Sequence, residues 1–311
     1  MFKLRGVDVL SLQELSSEDI ESILNETEKI KHEYAVGKPD ESLRGKVLGM
    51  IFQKPSTRTR ISFEVAMKHL GGYAIYLNWN EIQLGRGETI SDTAHVLDRY
   101  VHAIVARVFS HKDIVELANC SKIPVINGLS DMYHPCQILA DLFTVKEKKG
   151  RLSRLKLAYI GDGNNVCNTL LTGCAKVGMN ISVASPRGYE PHVEAVEHAK
   201  IAAKENGSYV QVANDPKLAA ENADIIYTDT FVSMGMESDR EERLRTFLPK
   251  YQVTEQIMQK AGEKALFMHC LPAHREEEVT SQVIDGPRSI VWDQAENRLH
   301  AQKALLKLIL Q

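Results

Sequence analysis

Short runs of β-forming residues alternate with segments of helical period almost from one end of this 311-residue chain to the other. That order is the signature of a parallel sheet with crossover helices. Strand-type runs lie at 46–52, 103–108, 124–127, 155–160, 180–184, 209–213, 224–228, 265–270 and 289–293. Helical segments fall near 16–35, 58–70, 91–101, 111–119, 135–148, 165–177, 190–206, 276–284 and 294–310. A chain this long exceeds the size at which one core keeps growing. The most polar break, Lys146-Glu147-Lys148-Lys149-Gly150-Arg151, precedes a fresh βαβ pattern that begins at Leu155. We therefore expect an α/β protein of two doubly wound parallel-sheet domains of similar size, 1–148 and 149–293.

Charge and composition exclude several classes of function. A formal net charge of -3 gives no basic field for nucleic acid. Hydrophobic residues at 43% and charged residues at 25% suit an ordinary globular protein. No stretch of 18 apolar residues occurs and the N-terminus lacks an apolar signal region, so a cytoplasmic protein without membrane association is expected. Cys120, Cys136, Cys167, Cys174 and Cys270 are odd in number and scattered, which suits reduced thiols better than disulfides.

Two loops carry candidate chemistry. Ser56-Thr57-Arg58-Thr59-Arg60 follows the apolar run Val47–Phe52 and opens a helical segment. Amides at a helix start, hydroxyls and a bidentate guanidinium together suit a phosphate group, the plainer alternative being helix capping. Gly161-Asp162-Gly163-Asn164-Asn165-Val166 sits between strand and helix, where a dinucleotide fingerprint would sit. Val166 replaces the third glycine, however, and Ser185 stands where an acidic residue would hold the ribose, which weakens a nicotinamide-dependent oxidoreductase. Asn164 and Asn165 either meet the carboxylate and amine of an amino acid or simply tolerate a tight turn.

Three further segments place reactive side chains at strand ends: Arg107 after Ala103-Ile104-Val105-Ala106, His134-Pro135-Cys136-Gln137, and His269-Cys270-Leu271-Pro272-Ala273-His274-Arg275. With Asp229, Ser233-Met234-Gly235 and Asn297-Arg298 they form an ordered set over nearly the whole chain. That set resembles the aspartate/ornithine carbamoyltransferase family. Ser233-Met234-Gly235 and Cys270 resemble its ornithine branch, the aspartate branch typically bearing arginine in the first place and proline in the second.

The resemblance implies a chain that transfers the carbamoyl group of carbamoyl phosphate to the side-chain amine of L-ornithine, giving citrulline and phosphate. By it, Ser56, Thr57, Arg58 and Thr59 hold the phosphate, with Gln83 contributing from a mobile loop that reaches a neighbouring subunit. Arg107, His134 and Gln137 surround the carbamoyl group, and Arg298 with the Cys270-Leu271 backbone completes that set. Asn165, Asp229, Ser233 and Met234 hold ornithine, and Arg107, His134 and Cys270 are the catalytic candidates. It further implies a homotrimer or an assembly of trimers, and a C-terminal helix, 294–311, packed back on the first domain. No metal or organic cofactor is required by this chemistry. The metal-ligand spacing is also poor, since His269 and Cys270 would face opposite ways on a strand. The segment Ser233 to Arg245 reads as a polar, glycine-hinged lid or a solvated loop. Competing readings are a carbamoyltransferase for another amine such as putrescine, and a non-catalytic amino-acid-binding relative. The latter should have lost Arg58, His134 or Cys270, and all three are present.

Overall fold

The computed structural model describes residues 4–233 and 235–311. It contains two compact units, the first running up to Phe143 and taking in Glu296–Gln311, the second Thr144–Ala295.

In the first unit, α1 (Ser17–Ala35) precedes β1 (Val47–Phe52), α2 (Thr57–His69), β2 (Tyr73–Asn78), α3 (Ile90–Leu97), β3 (Ala103–Arg107), α4 (His111–Cys120), β4 (Val125–Leu129) and α5 (Pro135–Lys149), whose last residues enter the second unit. The strands form a parallel sheet in the order β2-β1-β3-β4. Its central strands β1 and β3 are almost continuously apolar and buried, as a sheet covered on both faces requires. Ile51, Ile104, Ala106, Val108, Ile114 and Leu117 belong to one apolar core on this sheet.

The second unit holds β5 (Lys156–Ile160), α6 (Asn165–Lys176), β6 (Asn180–Ala184), α7 (Val193–Glu205), β7 (Val210–Ala213), α8 (Pro216–Ala220), β8 (Ile225–Thr228), α9 (Arg240–Phe247), α10 (Glu255–Ala261), β9 (Leu266–His269) and α11 (Ser281–Ile284). Its sheet is parallel throughout, ordered β7-β6-β5-β8-β9. Ala158, Ile160, Ile226, Phe231, Phe247 and Phe267 are among the residues of its core. The last helix, α12 (Val291–Leu310), begins in this unit and ends in the first. There Lys307 bonds Asp40 at 3.0 Å, Gly6 N–H donates to the Ile309 carbonyl, and Leu305, Leu306 and Ile309 are buried.

The two sheets match the two doubly wound domains expected, and the C-terminal helix does return to the first. Several elements differ from expectation. β2 had not been read, 289–293 contributes one bridge at Ser289 before α12 begins, and 276–284 is helical only at Ser281–Ile284. Part of the expected lid is the helix α9, and α8 and α10 were also unread. No helix among the described residues is long and apolar enough to cross a membrane.

Candidate active site

An open parallel sheet offers a crevice where neighbouring strands connect in opposite directions, beyond their carboxyl ends. In the first sheet that point lies between β1 and β3, in the second between β5 and β8. The candidate residues gather at both places.

In the first unit, Phe52 pairs with Arg107 at the strand ends, and the chain then turns into α2. Ser56 is the N-cap, its hydroxyl accepting Thr59 N–H at 3.3 Å. Both readings of this loop thus meet in one residue, since the cap leaves the amides of Thr57 and Arg58 at a helix start without intrahelical partners. Buried Arg298, from α12, donates to Gln137 Oε1 at 2.6 Å and to Thr59 Oγ1 at 3.2 Å. Gln137 in turn donates to buried Asp141 at 2.8 Å, a support that the sequence reading missed. Burial and the cations Arg298, Arg107 and Arg58 push His134 well below its ordinary pKa, so its ring is neutral at pH 7. The same residues make the site electropositive, as an anionic ligand requires. Arg60 takes no part, because it pairs with Glu64 at 2.9 Å and stacks on Tyr76. Gln83 stands exposed on the short turn Gln83–Arg86, with no side-chain hydrogen bond to this group among the described residues. Cys136 is buried, and desolvation pushes its thiol up to about 12, so it supplies no nucleophile.

In the second unit, β5 is followed by Gly161-Asp162-Gly163 and β8 by Asp229. A Cβ on Gly163 would lie 2.1 Å from Pro191 N, so this glycine serves the packing of the 190–191 backbone. Asn164 caps α6, its Oδ1 accepting Val166 and Cys167 N–H. The helix start that would cradle a pyrophosphate is therefore occupied by the protein's own amide, a further argument against a dinucleotide. Asn164 Nδ2 donates to Asp229 Oδ2 at 2.7 Å, Thr230 N–H to Asp229 Oδ1 at 2.8 Å, and the Cys270 thiol to Asp229 Oδ1 at 3.0 Å. Asp229 thus gathers the ends of β5, β8 and β9 into one polar cluster. Asn165 begins α6 and Ser233 lies half-buried four residues beyond Asp229. Met234 lies outside the described residues.

The Ser233–Arg245 segment is anchored by Arg243, which is buried, ion-paired with Asp162 and bonded to the Phe231 carbonyl. The metal argument from spacing needs correction: β9 ends at His269, and the turn that follows brings the ligand-type atoms of Asp229, His269 and Cys270 within 4.8 Å of one another. A second such group is His274, Glu277 and Glu278. In both, the side chains already bond one another or neighbouring protein groups.

Comparison with known proteins agrees with this division. Residues 7–147 match the family model for the aspartate/ornithine carbamoyltransferase carbamoyl-P binding domain, and residues 153–309 match that for the Asp/Orn binding domain. The chain is 54% identical over 307 residues to an ornithine carbamoyltransferase of Pyrococcus horikoshii, covering 99% of this chain and 96% of that one. It is 55% identical to one of Bacillus subtilis, covering 99% and 95%. The solved ornithine carbamoyltransferase from Pyrococcus furiosus superposes with a TM-score of 0.96 at 54% identity, covering 99% of this chain and 98% of that one. Matches over both units, at this level of identity and with the anion-type and amino-acid-type clusters each on its corresponding unit, leave one assignment: the chain belongs to the aspartate/ornithine carbamoyltransferase family.

Proposed function

We propose that this protein transfers the carbamoyl group from carbamoyl phosphate to the side-chain amine of L-ornithine, giving citrulline and phosphate. The observation that carries the choice of ornithine is the Cys270 thiol donating to Asp229, itself held by Asn164. Asp229 suits the α-ammonium that every amino acid carries, and the thiol fixed against it offers its sulfur to a second, side-chain amine, which ornithine has and aspartate lacks. The relatives named above as ornithine carbamoyltransferases support the same choice.

In this reading Ser56, Thr57, Arg58 and Thr59 hold the phosphate, and Gln83, exposed on its turn, reaches the corresponding site of a neighbouring subunit. Arg107, His134, Gln137 and Arg298 surround the carbamoyl group, with Cys270 and Leu271 contributing. Asp229 anchors the α-amino group of ornithine, while Asn165, Ser233 and Met234 complete its contacts. The ornithine side-chain ammonium, with an ordinary pKa of about 10.4, must lose a proton before it attacks, and desolvation favours the neutral amine. The Cys270 hydrogen is committed to Asp229, so its sulfur faces the amine as an acceptor and orients it. Attack on the carbamoyl carbon moves charge onto the carbonyl oxygen, where Arg107, the Thr59 hydroxyl and the N–H of neutral His134 stabilise it. The C–O bond to phosphate then breaks as the attacking nitrogen gives its surplus proton to the departing phosphate oxygen, and the leaving hydrogen phosphate dianion is met by Arg58 and the α2 amides. We further propose a cytoplasmic homotrimer or assembly of trimers working toward citrulline, a relative from Pyrococcus furiosus being named anabolic. Light scattering at three chain masses or a multiple of them tests the assembly.

The deciding experiment supplies carbamoyl phosphate with ornithine, aspartate or putrescine and scores the carbamoylated product. Citrulline from ornithine alone is expected. Product from another amine would overturn the second-unit assignments, and the absence of product from all three would overturn the enzyme reading.

A further inference from the structure

His269 closes β9 and is fully buried, yet its ring makes hydrogen bonds in two directions. Leu271 N–H donates to Nδ1 at 2.9 Å, and Nε2 lies 3.1 Å from Glu278 Oε1. An imidazole nitrogen that accepts carries no proton, so the single ring proton sits on Nε2 and is donated to Glu278. Glu278 is likewise fully buried, and the same Oε1 accepts His274 N–H at 2.6 Å. Its other oxygen is 3.8 Å from His274 Nδ1, which meets Thr230 Oγ1 at 3.2 Å. Thr230 N–H reaches Asp229 Oδ1, the oxygen that also accepts the Cys270 thiol. Hydrogen bonds and the chain itself thus form a network around Cys270, reached from Glu278 through His269 on one side and through the His274 backbone and Thr230 on the other. Inside it Leu271 holds φ 59°, a left-handed conformation that residues with a side chain avoid unless something fixes them there.

We propose that Glu278 is a positioning residue for carbamoyl transfer. It fixes the His269 tautomer whose bare Nδ1 holds the Leu271 amide, and so sets the Cys270 thiol against Asp229. Without the carboxylate the ring can place its proton on Nδ1, where it would face the Leu271 N–H as donor against donor. A buried carboxylate is expensive, and an apolar side chain of similar volume would stabilise a merely structural loop at least as well. The inference rests on the reading of Cys270 and Leu271 as substrate-binding residues.

The test uses the full chain with Glu278→Leu, which keeps volume but offers no acceptor, and Glu278→Gln, which keeps one oxygen for Nε2–H and His274 N–H. Steady-state kinetics, peptide-resolved alkylation of Cys270 with Cys120 as internal control, and ¹⁵N spectra of histidine-labelled protein are read together. Glu278→Leu is expected to lower kcat on the order of 10- to 100-fold, the usual cost of losing a group that orients a ligand-contacting residue. It should change the Cys270 alkylation rate and leave that of Cys120 as it was. Glu278→Gln should recover most of the lost turnover. Wild-type kcat and Cys270 alkylation in Glu278→Leu would overturn the proposal, as would loss of kcat with Cys270 alkylation unchanged. Should Glu278→Leu fail to fold, the wild-type spectrum still decides: a His269 proton on Nδ1, or on both nitrogens, overturns it. If wild type makes no citrulline, the functional reading falls, whereas the tautomer and Cys270 labelling continue to test the positioning.

Discussion

Arg58 and Arg60 are near neighbours in sequence and belong to opposite sides of α2. Two residues of an α-helix are turned about 200° apart, so a ligand that meets one side chain cannot meet the other. Arg60 accordingly serves its own helix and strand, pairing with Glu64 and covering Tyr76. Arg58 instead contributes to the cationic surroundings of His134. Counting both arginines toward anion binding, as the sequence pattern invites, gives one too many, and helical geometry alone separates them. Asp141, Asn164 and Glu278 were harder to read. Each acts through a second residue, and no sequence pattern records which acid or amide will be buried behind which ligand-facing group. Arg58→Lys should lower kcat/KM for carbamoyl phosphate on the order of 100-fold, because an ammonium cannot reproduce the planar fork, while the KM for ornithine holds. Steady-state kinetics with each substrate varied in turn checks this, and an unchanged carbamoyl phosphate dependence would remove Arg58 from the site.

Among the strands, the edge strands β4, β7 and β9 are readable as well as the buried central ones, and only β2 escapes the sequence. β2 is an edge strand with Tyr73 exposed and Ile75 half-exposed, and its run Tyr73–Leu77 is apolar throughout, a short run that by itself reads as strand or helix alike. The run Ser289-Ile290-Val291-Trp292 reads equally as strand or helix, and tertiary packing resolves it as one bridge followed by α12. Between them, Glu276 at φ 67° stops any helix from running through 276–284. Gly163 shows the opposite case, a residue visible in the sequence whose reason was not. It suggested room for a pyrophosphate, and the structure fills that room with the 190–191 backbone. Gly163→Ala would force a backbone shift where no flexible side chain can yield, at a cost of about 3 kcal/mol. We expect a lower thermal midpoint and weaker ornithine use, with carbamoyl phosphate binding retained, measurable by calorimetry and by binding of each substrate.

Stability against acid depends on the balance of buried titrating groups. In the first unit, burial and nearby cations hold His134 well below its usual pKa, and burial brings His300 down to about 4. A histidine whose folded pKa is depressed binds fewer protons folded than unfolded, so its neutral burial favours folding fully above pH 6.5 and progressively less below it. Asp162, in the second unit, has the reverse sign: burial raises it to about 6, so the folded state there takes up a proton between about pH 6 and 4 that the unfolded chain does not. Acid should therefore weaken the first unit between pH 6.5 and 4 more than the second. The two tryptophans separate them, Trp79 reporting the first and Trp292 the second. Denaturant titrations of Trp292→Phe and Trp79→Phe variants at pH 7 and 5 should show the larger fall in midpoint for the Trp79 signal. Equal falls would sink this account.

Asn164 spends both ends of its amide, the oxygen on the start of α6 and the nitrogen on Asp229. Exchanging that nitrogen for oxygen is a change of a single atom in size and of a whole charge in effect. Asn164→Asp would set two carboxylates at hydrogen-bond distance, and such a pair keeps one proton between them to higher pH than either acid alone. The variant's ornithine use would then follow the proton shared by residues 164 and 229, in addition to the deprotonation of the substrate amine. The amide at 164 thus acts as insulation that keeps the Asp229 carboxylate from sharing a proton with its neighbour.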